Sequence, residues 1–117
     1  MTFEDARRIG LEFPGVEDGT AYHTPALRVR GKLLARLHEN GADLILRMDV
    51  DTRTVLARVR PEVFHMTAHY IPYPWVMVRL ATVGEGELRD VFGDAWRSQA
   101  PRKLVAEHEA RVRTGQG

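Results

Sequence analysis

The chain has no cysteine, one serine, two lysines and no long apolar run, and each shortage removes a class of function. Without cysteine there is no disulfide framework, no thiol nucleophile and no thiolate metal site. The single serine, Ser98, lies in a stretch of helical periodicity, without the nucleophile elbow or the base at fixed spacing that a hydrolytic serine requires. Glycines are scattered as Gly31, Gly41, Gly84 and Gly86, so the phosphate-cradling patterns of nucleotide-cofactor sites are missing. No cofactor is expected, and no residue set supports an enzyme. No apolar stretch approaches the roughly 18 residues of a membrane span, and Glu4, Asp5, Arg7 and Arg8 occupy the first turns where a signal peptide would be apolar. These features predict a cytoplasmic protein that does not engage membranes.

What is present suits one domain. At 117 residues the chain can bury about two-thirds of its extended surface, and no second core fits, so residues 1–117 read as a single domain. Of the 17 basic residues all but Lys32 and Lys103 are arginine, whose planar fork suits phosphate and carboxylate and stacks on rings. The net charge of +1 conceals a polarity: residues 1–18 carry three more acids than bases, and residues 26–48 three more bases than acids.

Thr2 and Asp5 form a capping-box-like start, after which Phe3, Ala6, Ile9 and Phe13 recur at near-helical spacing until Pro14-Gly15. Residues 16–25 mix glycine, aspartate, threonine and proline and read as a connecting loop. Residues 26–30, 33–38 and 43–48 then read as three short strands joined by tight turns, which implies an antiparallel meander. Helical spacing returns at 51–60, with Val55, Leu56 and Val59 on one side, and Pro61 stops it. Val63–Thr67 is a short strand candidate, prolines 72 and 74 confine residues 70–74 to a loop, and Trp75–Ala81 is the last strand. From about Glu85, Leu88, Val91, Phe92, Ala95 and Trp96 line one helix face, which places Trp96 in the core. Pro101 starts a further helix bearing Leu104 and Val105, and Gly115-Gln116-Gly117 should fray.

Strand alternation puts Arg28, Arg30, Arg36, Arg47 and Arg79 on one sheet face with Trp75, opposite the apolar set that would pack under the helices. With Lys32, that face is a candidate surface for phosphates and stacked bases. A competing candidate is an aromatic pocket near Tyr22, His23, His69, Tyr70 and Trp75, suited to a small molecule or a protein partner. His65 and His69 are four residues apart, but no glutamate follows the first and the neighbours oppose a helix, so no metal is expected. His69 beside Tyr70 reads instead as a buried hydrogen-bonding pair that fixes the loop before Trp75.

Taken in order, Leu11-Glu12-Phe13-Pro14-Gly15-Val16-Glu17, Pro25-Ala26-Leu27-Arg28-Val29-Arg30-Gly31-Lys32, the segment His69–Leu80, and Asp94-Ala95-Trp96 with Pro101-Arg102-Lys103-Leu104 resemble the MmcQ/YjbR family. The resemblance spans nearly the whole chain. It implies a compact α+β domain, an antiparallel sheet packed against helices on one face, similar to the CyaY (frataxin-like) fold, with a relation to double-wing DNA-binding modules. Its members are mostly uncharacterised. Helix 1 lacks the dense acidic ridge of frataxin-like proteins, so iron binding does not carry over. The expectation is a monomer or homodimer that binds DNA weakly through the arginine face, with the small-ligand or protein-interaction module as the alternative.

Overall fold

The computed structural model describes residues 1–115, except the side chain of Tyr70; Gln116 and Gly117, where the sequence suggests fraying, lie outside the described residues. Four α-helices accompany a six-stranded sheet: α1 (Phe3–Gly10), β1 (Val16–Ala21), β2 (Thr24–Val29), β3 (Lys32–Leu37), β4 (Asp43–Arg47), α2 (Val50–Val59), β5 (Phe64–His65), β6 (Trp75–Arg79), α3 (Glu85–Gln99) and α4 (Arg102–Arg113). The strand order is β1-β2-β3-β4-β6-β5, and every neighbouring pair is antiparallel. The fold is therefore α+β with the meander the tight turns imply.

Local chemistry starts the helices. Thr2 Oγ1 accepts from the Asp5 N–H at 3.3 Å while Asp5 Oδ2 accepts from the Thr2 N–H at 2.9 Å, a reciprocal cap that satisfies two donors at the start of α1. Asp49 caps α2 by accepting from the Thr52 N–H at 2.9 Å. Pro101, which has no N–H to leave unsatisfied, precedes α4.

One sheet face carries the core. Leu27 and Val29 of β2, Leu34 and Ala35 of β3, Leu44 and Leu46 of β4, and Val76 and Val78 of β6 meet Ile9 of α1 and Leu88, Phe92 and Trp96 of α3. Trp96 has no exposed surface, and its indole N–H donates to the Pro14 carbonyl at 2.8 Å, so the ring is buried without orphaning its one polar atom. A bulge between Leu27 and Arg28 slips the β2–β3 register, and Leu34 and Ala35 are both buried as a result.

Three expectations are corrected. Residues 16–25 are not a loop: β1 runs from Val16 to Ala21 and pairs along β2 from Val16↔Val29 to Ala21↔Thr24. Its four middle residues, Glu17 to Thr20, are exposed, so it carries no apolar alternation, and main-chain pairing at the sheet edge is what makes it a strand. On α2, Val55 and Val59 face solvent at 57% and 60% exposure, while Arg53 is buried at 6%. The helix turns its arginine inward because main-chain carbonyls wait there to receive it. Lastly, His69 is exposed rather than buried, in a 3-10 turn (Ala68–Tyr70).

Candidate ligand-binding site

The second sheet face is not the open cationic plane that alternation alone suggests. The register Ala26↔Arg36↔Ile45↔Met77↔His65 puts Arg36 in a row whose Ala26, Ile45 and Met77 are buried. The segment between β5 and β6 brings Thr67, His69 and Tyr73 beside this row, and the space between is a cavity of about 640 Å3. Leu33, Ile45 and Trp75 supply its apolar surface from the sheet, Tyr22 comes from the β1–β2 turn, and Arg36, His38 and Glu39 come from the end of β3. The volume falls within the ordinary range for small-molecule sites, about 300–1,000 Å3.

Tyr22 is presented by an unusual turn. Tyr22 and His23 form the two-residue link between the paired residues Ala21 and Thr24, and both have left-handed backbones, with φ of 52° and 66°. Such primed turns match the twist of a hairpin but favour glycine and asparagine, and a larger residue there costs about 1–2 kcal/mol. The turn holds Tyr22 at the cavity mouth with 74% of its surface exposed, and the Arg36 guanidinium lies 4.9 Å from its ring centroid.

Arg36 is itself 7% exposed. Its Nη1 donates to Glu39 Oε1 at 2.6 Å, and Thr24 Oγ1 and the Leu37 carbonyl stand at 3.3 Å. The Arg36 hydrogen bond, aided by the backbone N–H of Glu39, holds the Glu39 carboxyl below its ordinary range. His38 Nδ1 accepts the Asn40 N–H at 3.0 Å, which leaves the ring proton of the neutral form on Nε2, 3.7 Å from Glu39 Oε2. Across the cavity, the His69 and Tyr73 rings lie 6.3 Å apart. Arg53 fixes this wall from behind, donating to the carbonyls of Ile71, Tyr73 and Trp75 at 2.8, 2.7 and 3.0 Å.

The structure brings part of the anticipated aromatic set together: Tyr22, His69 and Trp75 line one cavity. His23 does not, because its position in the turn leaves it exposed outside the lining, and the Tyr70 side chain lies outside the described residues. Leu33, Arg36, His38, Glu39, Ile45, Thr67 and Tyr73 complete the lining, and none of them belongs to the anticipated aromatic set. Tyr73 belongs to the same proline-rich aromatic segment, so composition could have flagged it, whereas nothing local marks Thr67.

The arginine surface is dispersed. Arg28 donates to the Thr20 carbonyl and Arg79 to the Pro61 carbonyl, each at 2.8 Å, and Arg47 lies over Trp75 with its guanidinium 5.5 Å from the ring centroid. Arg30 does not share a face with Arg28. Its φ of 49° places it in the β2–β3 turn, where the left-handed backbone interrupts alternation; a β-carbon at Gly15 would stand 3.7 Å from Arg30 Nη1 and 3.0 Å from Leu104 Cδ2 of α4. Lys32, beside it, is exposed. His65 Nε2 stands 2.9 Å from Asp43 Oδ1, and among the described residues no three histidines or carboxylates gather to hold a metal ion.

The YjbR family profile matches residues 11–98, which spans β1 through α3 and so takes in the whole sheet and the cavity. The chain belongs to the YjbR family. Uncharacterized proteins of Mycobacterium tuberculosis and Mycobacterium bovis share 37% identity with it over 57 residues, which is 49% of this chain and 44% of theirs, so the matched part is under half of those relatives' length. The crystal structure of a Deinococcus radiodurans protein with a DUF419 domain is similar at a TM-score of 0.67 and 19% identity, covering 81% of this chain and 75% of that one. At that identity the likeness establishes the YjbR fold alone. No helix among the described residues is long and apolar enough to cross a membrane.

Proposed function

We propose that this YjbR-family protein is a small-ligand-binding module whose site is the cavity between the sheet and the β5–β6 segment. The observation that carries the reading is convergence: apolar surface from Leu33 and Ile45, rings from Tyr22, Tyr73 and Trp75, and a few fixed polar groups from Arg36, His38 and Glu39 meet around one volume. A binding site needs that combination, because apolar walls supply affinity while a small number of oriented polar atoms supply specificity.

A second reading, weak nucleic-acid binding, is favoured by the Arg47–Trp75 stack standing near the exposed rings of Tyr22 and Tyr73, which suit unstacked bases. Against it, Arg28, Arg36 and Arg79 already serve acceptors within the chain, so phosphates would have to compete for them.

A fragment screen read by the indole N–H resonance of Trp75 tests the first reading. Ring-containing fragments should shift it, and Thr67→Trp, which fills the cavity from an exposed position, should abolish the shift. Persistence of the shift in Thr67→Trp would place binding elsewhere. Salt separates the two readings, since ligand burial is nearly insensitive to ionic strength whereas phosphate contacts weaken steeply with it.

A further inference from the structure

We infer that the cavity selects a planar aromatic ring bearing an anionic group over the same ring bearing an ammonium; this deepens the ligand-binding reading and rests on it. The inference starts from which faces and atoms are already engaged. Tyr22 has the Arg36 guanidinium 4.9 Å from its centroid, and Trp75 has that of Arg47 at 5.5 Å. A cation over one face of a ring draws on the same π density that would attract a second cation at the other face, so both rings are poor partners for an ammonium and good ones for an electron-rich ring.

The polar groups point the same way. Glu39 is the one carboxylate among the described lining residues, and it is engaged by Arg36 at 2.6 Å. Arg36 holds Oε1, so an ammonium meeting Glu39 would do so at Oε2, sharing one carboxylate with the adjacent guanidinium and repelled by its like charge. The groups that can meet a carboxylate are donors: the Nε2–H of His38, fixed in that tautomer by the Asn40 N–H at Nδ1, and the hydroxyls of Tyr73 and Thr67. Among the described lining residues the cavity therefore offers donors and a single acid already shared with Arg36, beside two rings that each have a guanidinium over one face.

The test uses four probes that share one ring: 2-naphthoate, 2-naphthyl phosphate, 2-naphthalenemethanol and 2-naphthylmethylammonium. Each is titrated into the parent protein at neutral pH with the Trp75 indole N–H as the reporter, assigned through its loss in Trp75→Phe, and with the buried Trp96 as internal control. The carboxylate or the phosphate should bind at least about tenfold tighter than the ammonium, with the alcohol between them, and the order of the two anions shows which anionic group the site prefers. Glu39→Gln, at an exposed residue, should tighten both anions by about threefold relative to the alcohol, because it removes the one negative charge among the described lining residues. An ammonium that binds as well as the anions overturns the inference and leaves the cavity reading standing. If all four probes leave Trp75 unmoved, the cavity reading falls, and this inference with it.

Discussion

Arg53 Nη1 donates to the Tyr73 carbonyl at 2.7 Å across a separation of twenty residues, and this contact ties a helix to the wall of the cavity. The same guanidinium reaches Ile71 and Trp75, so one buried side chain satisfies three main-chain acceptors in a segment whose two prolines cannot supply donors to a ladder. A planar fork with several fixed N–H groups can do this; a lysine ammonium cannot match its geometry.

Arg53→Ala is therefore expected to destabilise the fold by about 2–4 kcal/mol, since it strips three part-buried carbonyls of hydrogen bonds and leaves a void where a buried side chain stood. Arg53→Lys should recover only part of that. Urea unfolding gives the magnitude, and limited proteolysis between residues 68 and 74 should show whether the wall loosens. A loss under about 1 kcal/mol for the alanine variant would mean that water replaces the guanidinium without penalty.

Gly10 at the end of α1 presents a contest between two effects. Alanine ordinarily stabilises a helix over glycine by about 1 kcal/mol. Here a β-carbon would stand 2.5 Å from Leu27 Cδ1 and 2.7 Å from Phe92 Cζ, both in the buried core. Overpacking costs about 1–3 kcal/mol and should win, so Gly10→Ala is expected to lower the thermal midpoint despite its better helix propensity. A rise in the midpoint would show that Leu27 and Phe92 have room to shift.

The acid limb of stability should be steep. Burial pushes the Asp43 carboxyl upward, but hydrogen bonds from His65 and Asn40 outweigh it and leave the group below its ordinary value. Arg89 lowers Glu12, Arg60 lowers Glu87 and the Thr52 cap lowers Asp49 in the same direction. A carboxyl depressed by folding stabilises fully above its unfolded pKa, about 4, and loses that contribution as pH falls through the folded value. Thermal midpoints should thus hold steady from neutral pH to about 5 and fall below about 4. Asp43→Asn should lower the midpoint at neutral pH and flatten the decline; an unchanged slope would assign the acid limb to the other carboxylates.

Within this chain, what the sequence determines by itself is whatever depends on near neighbours. The Thr2–Asp5 cap, the apolar stripe that buries Trp96, the tight turns of the meander and Pro101 before α4 are all written in spacings of a few residues, because helix and strand periodicity act over that range. The MmcQ/YjbR resemblance was legible for a related reason, since short motifs in a fixed order survive as sequence. The tertiary structure alone decided the rest. β1 exists because β2 offers it a row of donors and acceptors, not because of its own exposed side chains. Arg53 is buried because carbonyls eighteen to twenty-two residues away converge on it. The arginines that alternation aligns on one face are dispersed by a left-handed turn at Arg30 and by acceptors at Thr20, Glu39 and Pro61. Alternation specifies which way a side chain leaves the backbone, but what it meets there, and so whether the face is open, is set by segments distant in sequence that close over it.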